Sequence, residues 1–117
     1  KVTSVTDKQT FSHYFCSTMS SFQEIINSNQ PTLVDFHATW CGPCKAMAPV
    51  LDQLKNELGG AVRVLKIDVD KNQALANQLN VRGVPTFVLY KSGQIVWRQS
   101  GGMSLSTLVS KIKPSID

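Results

Sequence analysis

Residues 40–45, Trp-Cys-Gly-Pro-Cys-Lys, place two cysteines three positions apart. Two thiols at this spacing can bind a metal ion, form a purely structural disulfide, or act as a reversible dithiol/disulfide pair. The chain has only one other cysteine, Cys16, and three cysteines do not make a disulfide framework of the secreted type. Few cysteines fit a reducing compartment, where such a pair is usually catalytic or metal-binding.

The pair lies between a predicted buried strand, residues 32–38, and a predicted helix that ends at Gly59-Gly60. The first turn of a helix has unpaired N–H groups and a partial positive charge, and both stabilise a thiolate. Cys41 is therefore predicted to be an ionised, exposed nucleophile, and Cys44, one turn inside, a more buried second thiol. Gly42 permits a tight turn, and Pro43 suits the first helical turn.

Hydrophobic periodicity predicts alternating strands and helices, followed by a hairpin and a closing helix. The hairpin joins residues 86–90 to residues 94–99 through the three-residue loop Lys91-Ser92-Gly93. Such an order requires parallel strands with crossover helices, to which the hairpin adds antiparallel strands. The predicted fold class is α/β, with a central mixed parallel/antiparallel sheet flanked by helices on both faces. Residues 1–10 are predicted to be a flexible extension of a single domain, 11–117, that opens with an edge strand at 11–17.

Composition excludes several classes of function. The 117 residues carry a net charge of +4, and the basic residues are scattered, so no nucleic-acid groove is predicted. No apolar run approaches the length needed to span a bilayer, so no membrane partner is predicted. The cysteine usage favours a cytoplasmic protein, with organellar and periplasmic locations left open.

Asp35 lies in the middle of the predicted buried strand. Burial disfavours a charged carboxylate, so the pKa of Asp35 is expected to rise toward neutrality. A carboxylate with such a pKa, close to the cysteine pair, is suited to act as the general base that deprotonates Cys44. The alternative is a hydrogen-bonded aspartate with a purely structural role.

Two longer stretches, VDFHATWCGPCKAMAPVLDQL and VPTFVLYKSGQIV, together with Gly101-Gly102, resemble the thioredoxin family in order and separation. The resemblance covers about residues 20–115 and implies a thioredoxin-like fold and a protein-disulfide reductase. In the implied mechanism, Cys41 attacks a client disulfide and forms a mixed disulfide, and Cys44 then releases the reduced client. Gly-Pro between the cysteines resembles the reducing members of the family.

The resemblance also implies a cis Val84–Pro85 bond facing the cysteines, with the Val84 backbone available to an extended client segment. A flat client-binding groove is implied, formed by Trp40, Gly42, Pro43, Gly83, Val84, Pro85 and Gly101. No bound cofactor or metal is expected. Because the chain lacks a dinucleotide-binding fingerprint, electrons from NADPH would arrive through a separate thioredoxin reductase. The implied partners are that reductase and disulfide-containing clients, and the protein is expected to be a monomer.

The sequence departs from the family at several positions. His37 stands where relatives often carry tryptophan, and it is interpreted as a packed histidine or as a group that tunes the titration of the pair. The slot of a lysine that some relatives place beside the buried aspartate is assigned to Val64, with Lys66 as a possible substitute. Cys16 has no evident counterpart.

Two other functions remain open from the sequence alone. One is a binding module on the same fold whose cysteines do no turnover. The other is a zinc site formed by His13, Cys16, Cys41 and Cys44, because His13 and Cys16 have ligand-like spacing.

Overall fold

The computed structural model describes residues 21–116. Within this range the chain forms four helices and four strands, with one short 3-10 turn at Gly59–Ala61. A helix at residues 21–26 is designated α1. The remaining elements are β1 (Thr32–His37), α2 (Gly42–Leu58), β2 (Arg63–Asp68), α3 (Gln73–Gln78), β3 (Thr86–Lys91), β4 (Gln94–Ser100) and α4 (Leu105–Ile116).

The described strands form one mixed sheet in the order β2-β1-β3-β4. β1 runs parallel to β2 and antiparallel to β3, and β3 pairs antiparallel with β4. The parallel pair is connected through α2, as a crossover connection requires. The α/β class and the mixed sheet predicted from the sequence are therefore confirmed.

Two hydrophobic layers cover the two faces of the sheet. The first packs α1 and α3 against the even-numbered residues of β1, through Phe22, Ile26, Leu75, Val34 and Phe36. The second packs α2 and α4 against Leu33, also on β1, through Met47, Leu51, Leu54, Leu108 and Ile112. Since successive strand residues point to opposite faces, β1 is buried on both sides, which explains its nearly continuous apolar sequence.

The loop between β3 and β4 is shorter than predicted. Lys91 pairs with Gln94 at the end of the ladder, so only Ser92 and Gly93 connect the two strands. Both residues have positive φ, 53° and 82°, as a type I′ turn requires at its two central positions. The prediction of a three-residue loop was wrong because the strand ladder extends one residue further than the apolar pattern indicates.

β4 forms one edge of the described sheet and is anchored by Arg98. The guanidinium donates hydrogen bonds to the backbone oxygens of Leu79 and Asn80, at 2.6 and 2.7 Å. The edge strand is thereby tied to the end of α3. The predicted extension at residues 1–10 and the predicted strand at 11–17 lie outside the described residues. None of the described helices is both long and apolar enough to traverse a bilayer.

Truncating a core side chain should cost more unfolding free energy than truncating a surface side chain. Leu54, on the buried face of α2, is fully buried, whereas Ile95 on β4 is 50% exposed. We expect Leu54→Ala to lower the free energy of unfolding by about 2–5 kcal/mol, because it removes apolar burial and leaves a cavity. The matched Ile95→Ala variant should lose less than about 1 kcal/mol, as is usual at the surface. Urea denaturation measures both, and equal losses would contradict the assigned layers.

Candidate active site

The two cysteines of the Trp-Cys-Gly-Pro-Cys stretch form a disulfide, with Cα atoms 5.2 Å apart. Cys41 is the N-cap residue of α2, and its sulfur accepts a hydrogen bond from the Cys44 backbone N–H at 3.1 Å. Gly42 and Pro43 occupy the first turn and are exposed. The sulfur atom therefore satisfies one of the otherwise unpaired N–H groups at the start of the helix. This is the helix-terminus position predicted from the sequence.

The exposure of the two cysteines is the reverse of the prediction. Cys41 is 4% exposed, whereas Cys44 is half-buried. Cys41 is covered because its sulfur turns inward to cap α2 and lies 3.7 Å from the Val84 carbonyl oxygen. The sequence position outside the helix suggested exposure, but the side-chain direction and the neighbouring loop decide it.

The loop before β3 faces Cys41. The Val84–Pro85 peptide bond is cis, in agreement with the expectation from the resemblance. The Pro85 carbonyl oxygen accepts a hydrogen bond from the Gly101 N–H at 2.8 Å, which joins this loop to the end of β4. Gly101 has a φ of 93°, a conformation that side chains other than glycine rarely adopt. Gly83 and Gly101 are exposed, Val84 is half-buried and Pro85 is buried.

Trp40 projects from the surface next to the disulfide and is 68% exposed. Its indole N–H donates a hydrogen bond of 2.8 Å to the Asp70 carboxylate, which lies after β2. A large exposed ring held by one polar contact presents apolar area at low entropic cost. Sequence reasoning named Trp40 but missed Asp70. A tethering aspartate thirty residues away in sequence has no local signal.

Asp35 lies on the face of β1 that packs against α2, and its side chain is 5% exposed. It lines an open cleft of about 350 Å³ together with His37, Ala38, Thr39, Cys44, Lys45, Ala48 and Lys66. Its Oδ1 atom has no hydrogen-bond partner within residues 21–116. Burial raises the pKa of this carboxyl, and the positive charges of His37 and Lys66 partly oppose the rise. The direction of this shift is the one expected from the sequence.

The lysine beside the buried aspartate is Lys66, and the assignment of that slot to Val64 was wrong. In the parallel ladder Asp35 is paired with Lys66, whereas Val64 is paired with Leu33. The sequence could not fix this register, because a shift of two residues along β2 preserves the alternation of faces. The structure thereby places a cation beside the carboxylate, where the sequence analysis only allowed for one.

The zinc hypothesis loses two of its four ligands in this state, because Cys41 and Cys44 are bonded to each other. The other two, His13 and Cys16, lie outside the described residues. Across residues 21–116, no three His, Cys, Asp or Glu side chains cluster as metal ligands.

The geometry is that of a disulfide at a helix start, a cis-proline loop across from it, and a buried carboxyl beneath it. The sequence model of the Thioredoxin family matches residues 13–114. The chain belongs to the thioredoxin family. Over 92 residues it is 47% identical to the thioredoxin of Haemophilus influenzae, covering 79% of this chain and 86% of that protein. The resemblance inferred from the sequence motifs is confirmed.

Other relatives differ in length and setting. Chloroplastic thioredoxin Y of rice is 39% identical over 101 residues, covering 86% of this chain, and the chain spans 60% of that relative's length. A bifunctional thioredoxin reductase/thioredoxin of Mycobacterium leprae is 41% identical, covering 84% of this chain and 22% of that protein. The solved structure of a mutant thioredoxin from Halobacterium salinarum superposes with a TM-score of 0.76 at 38% identity, covering 84% of this chain and 85% of that chain. The thioredoxin-like fold is confirmed.

Neutralising Asp35 should stabilise the folded protein in a pH-dependent manner. Because burial raises the Asp35 pKa above its unfolded value, the folded state binds more protons between those two values, and stability falls as pH rises through them. Asp35→Asn should therefore gain unfolding free energy above the raised pKa, and little at about pH 3.

Urea denaturation of oxidised wild type and Asp35→Asn across pH 3–9 measures this difference. The exposed Asp52→Asn, on α2, is the matched control and should show no such trend. A gain that is constant with pH, or a loss at high pH, would contradict the assigned burial cost.

Proposed function

We propose that the chain is a protein-disulfide reductase in which the Cys41–Cys44 pair alternates between dithiol and disulfide. The observation that carries the proposal is the disulfide itself, with one sulfur capping α2. The N–H that now bonds the Cys41 sulfur would stabilise a thiolate there once the pair is reduced. A thiol–disulfide oxidoreductase is also what membership of the family predicts.

In the proposed cycle the Cys41 thiolate attacks a client disulfide, and one client sulfur leaves as a thiolate. Cys44 then attacks the Cys41 sulfur, which re-forms the Cys41–Cys44 bond and releases the second client thiol. The two sulfurs are held together, so the second step has a high effective concentration. Asp35 lines the cleft that Cys44 also lines, and there it takes the Cys44 proton as general base.

The surface around the disulfide supports client binding. Trp40, Gly42, Pro43, Gly83 and Gly101 are exposed around Cys41, with Val84 and Pro85 between them. The Val84 carbonyl lies 3.7 Å from the Cys41 sulfur. An extended client segment that paired with the Val84 backbone would bring its own disulfide to the nucleophile.

The electron donor in this proposal is a separate thioredoxin reductase that carries electrons from NADPH. The chain has no dinucleotide-binding fingerprint of its own, and one relative carries a thioredoxin reductase in the same polypeptide. No bound cofactor or metal is needed for the exchange. We propose a monomer that acts in a reducing compartment, with the cytoplasm first and organelles second, since chloroplastic and bacterial relatives both occur.

Single cysteine substitutions should separate the two chemical steps. Cys41→Ser should abolish catalysed reduction of insulin by dithiothreitol, because the nucleophile is missing. Cys44→Ser should also lose turnover but accumulate a mixed disulfide with the client, visible on a non-reducing gel. Cys16→Ser is the matched control and should retain turnover. Full turnover by Cys41→Ser would exclude the proposed reductase and favour a binding module.

Truncating the exposed Trp40 side chain should weaken the binding of protein clients more than the binding of small disulfides. We expect Trp40→Ala to raise the KM for a folded disulfide client about five- to thirtyfold, the usual range for losing an aromatic contact. The reaction with a small aromatic disulfide should change less than about twofold, because it buries little of that surface. Ile95→Ala, on the distant hairpin, is the control. Equal effects on both substrates would argue against a client surface at Trp40.

A further inference from the structure

The cleft beside the disulfide contains a titratable side chain that the proposed cycle does not use. His37 follows Asp35 by two residues on β1, so both point to the α2 face of the sheet. Asp35 is buried and His37 is half-buried, and both line the cleft with Cys44. The three groups thus share one space, with His37 the more accessible of the two proton-binding side chains on β1.

The charged groups around His37 come from all three elements that border the cleft. On β1 it neighbours Asp35, and on β2 the ladder pairs Asp35 with Lys66 and His37 with Asp68. From α2, Lys45 lines the same cleft. The Asp68 carboxylate accepts hydrogen bonds from the backbone N–H groups of residues 70 and 71, at 2.8 and 3.4 Å. Asp68 is therefore engaged in the turn after β2, and the carboxylate that faces the cleft is Asp35.

A buried general base must lose the proton that it gains in each cycle. Asp35 has one carboxylate oxygen with no hydrogen-bond partner among the described residues. The cleft volume of about 350 Å³ has room for several water molecules, which occupy about 30 Å³ each in the liquid. Water in this cleft can bridge the Asp35 carboxyl group and the His37 imidazole, because both side chains line it.

We propose that His37 completes the proton route of the resolving step by receiving, through water, the proton that Asp35 takes from Cys44 and releasing it to solvent. The proposal rests on the reductase function proposed above and adds a positioning residue that acts through Asp35.

The step balances without any further reactant. The Cys44 S–H bond breaks as its proton passes to the Asp35 carboxylate, and the Cys44 sulfur attacks the Cys41 sulfur of the mixed disulfide. A new S–S bond forms, and the client thiolate leaves with the electron pair of the broken one. In the same step, water carries the proton onward from Asp35 to the His37 imidazole, which then releases it to bulk solvent and returns to its starting state.

The test is a single turnover of reduced protein with a disulfide peptide, quenched in acid and counted by mass spectrometry as free, mixed-disulfide and oxidised protein. Capture by Cys41 and resolution by Cys44 are then separate rates. His37→Asn removes the proton acceptor. Resolution should be several-fold slower than in the wild type at pH 6, with accumulated mixed disulfide, because Asp35 then has no acceptor for its proton.

Three comparisons make this result specific. The rate should converge with wild type at about pH 9, where free thiols ionise without a base. Added imidazole should restore the pH 6 rate of His37→Ala, because the truncated side chain enlarges the cleft. Thr39→Ala, which removes an untitratable side chain from the same cleft, should resolve at the wild-type rate.

A wild-type resolution profile in His37→Asn would overturn the proposal, as would a slowing that is equal at all pH values and insensitive to imidazole. Either result would leave the reductase function intact, because capture by Cys41 is counted separately. Loss of capture in the wild type would instead remove the reductase function itself.

Discussion

The strand β1 is buried on both faces, and its two-residue alternation decides which side chains meet the active site. Val34 and Phe36 enter the layer under α1 and α3, while Leu33 and Asp35 enter the layer under α2. A shift of one residue would send the carboxylate to the opposite layer and expose the helix start to apolar side chains. The apolar packing that fixes this register therefore keeps the Asp35 carboxyl group buried, although a carboxylate is more stable in water.

The two sulfur atoms of the pair have different surroundings, and this difference divides their work. Cys41 lies at the helix start, where its sulfur faces the Val84 carbonyl. Cys44 lies one turn inside and borders the cleft that contains Asp35 and Lys66. In the proposed cycle, backbone N–H groups would therefore stabilise the capturing sulfur, and side chains of the cleft would deprotonate the resolving one. One helix turn is enough to separate the two environments.

Much of this arrangement could be predicted from sequence because it depends on local patterns. The apolar run of β1, the periodicity of α2 and the position of the cysteines at the strand–helix junction all follow from residue types and spacing. The register of β2 could not be predicted, since Val64 and Lys66 fit the alternation equally well. The burial of Cys41 and the tether from Asp70 to Trp40 also had no local signal, because each depends on a segment distant in sequence. Non-local contacts are what the sequence pattern leaves open.

The sulfur that caps α2 is also an atom that gains and loses electrons. The charge of an oxygen atom at an N-cap does not change with redox state. The Cys44 amide, in contrast, donates to a neutral Cys41 sulfur in the disulfide and would donate to an anionic one after reduction and ionisation. Folding and reduction form a closed thermodynamic cycle, so stronger capping of the reduced form raises the midpoint potential of the couple relative to an unfolded chain. The first turn of α2 thus contributes to the reduction potential of the cysteine pair. Altering that single amide would change the driving force for electron transfer without replacing either sulfur.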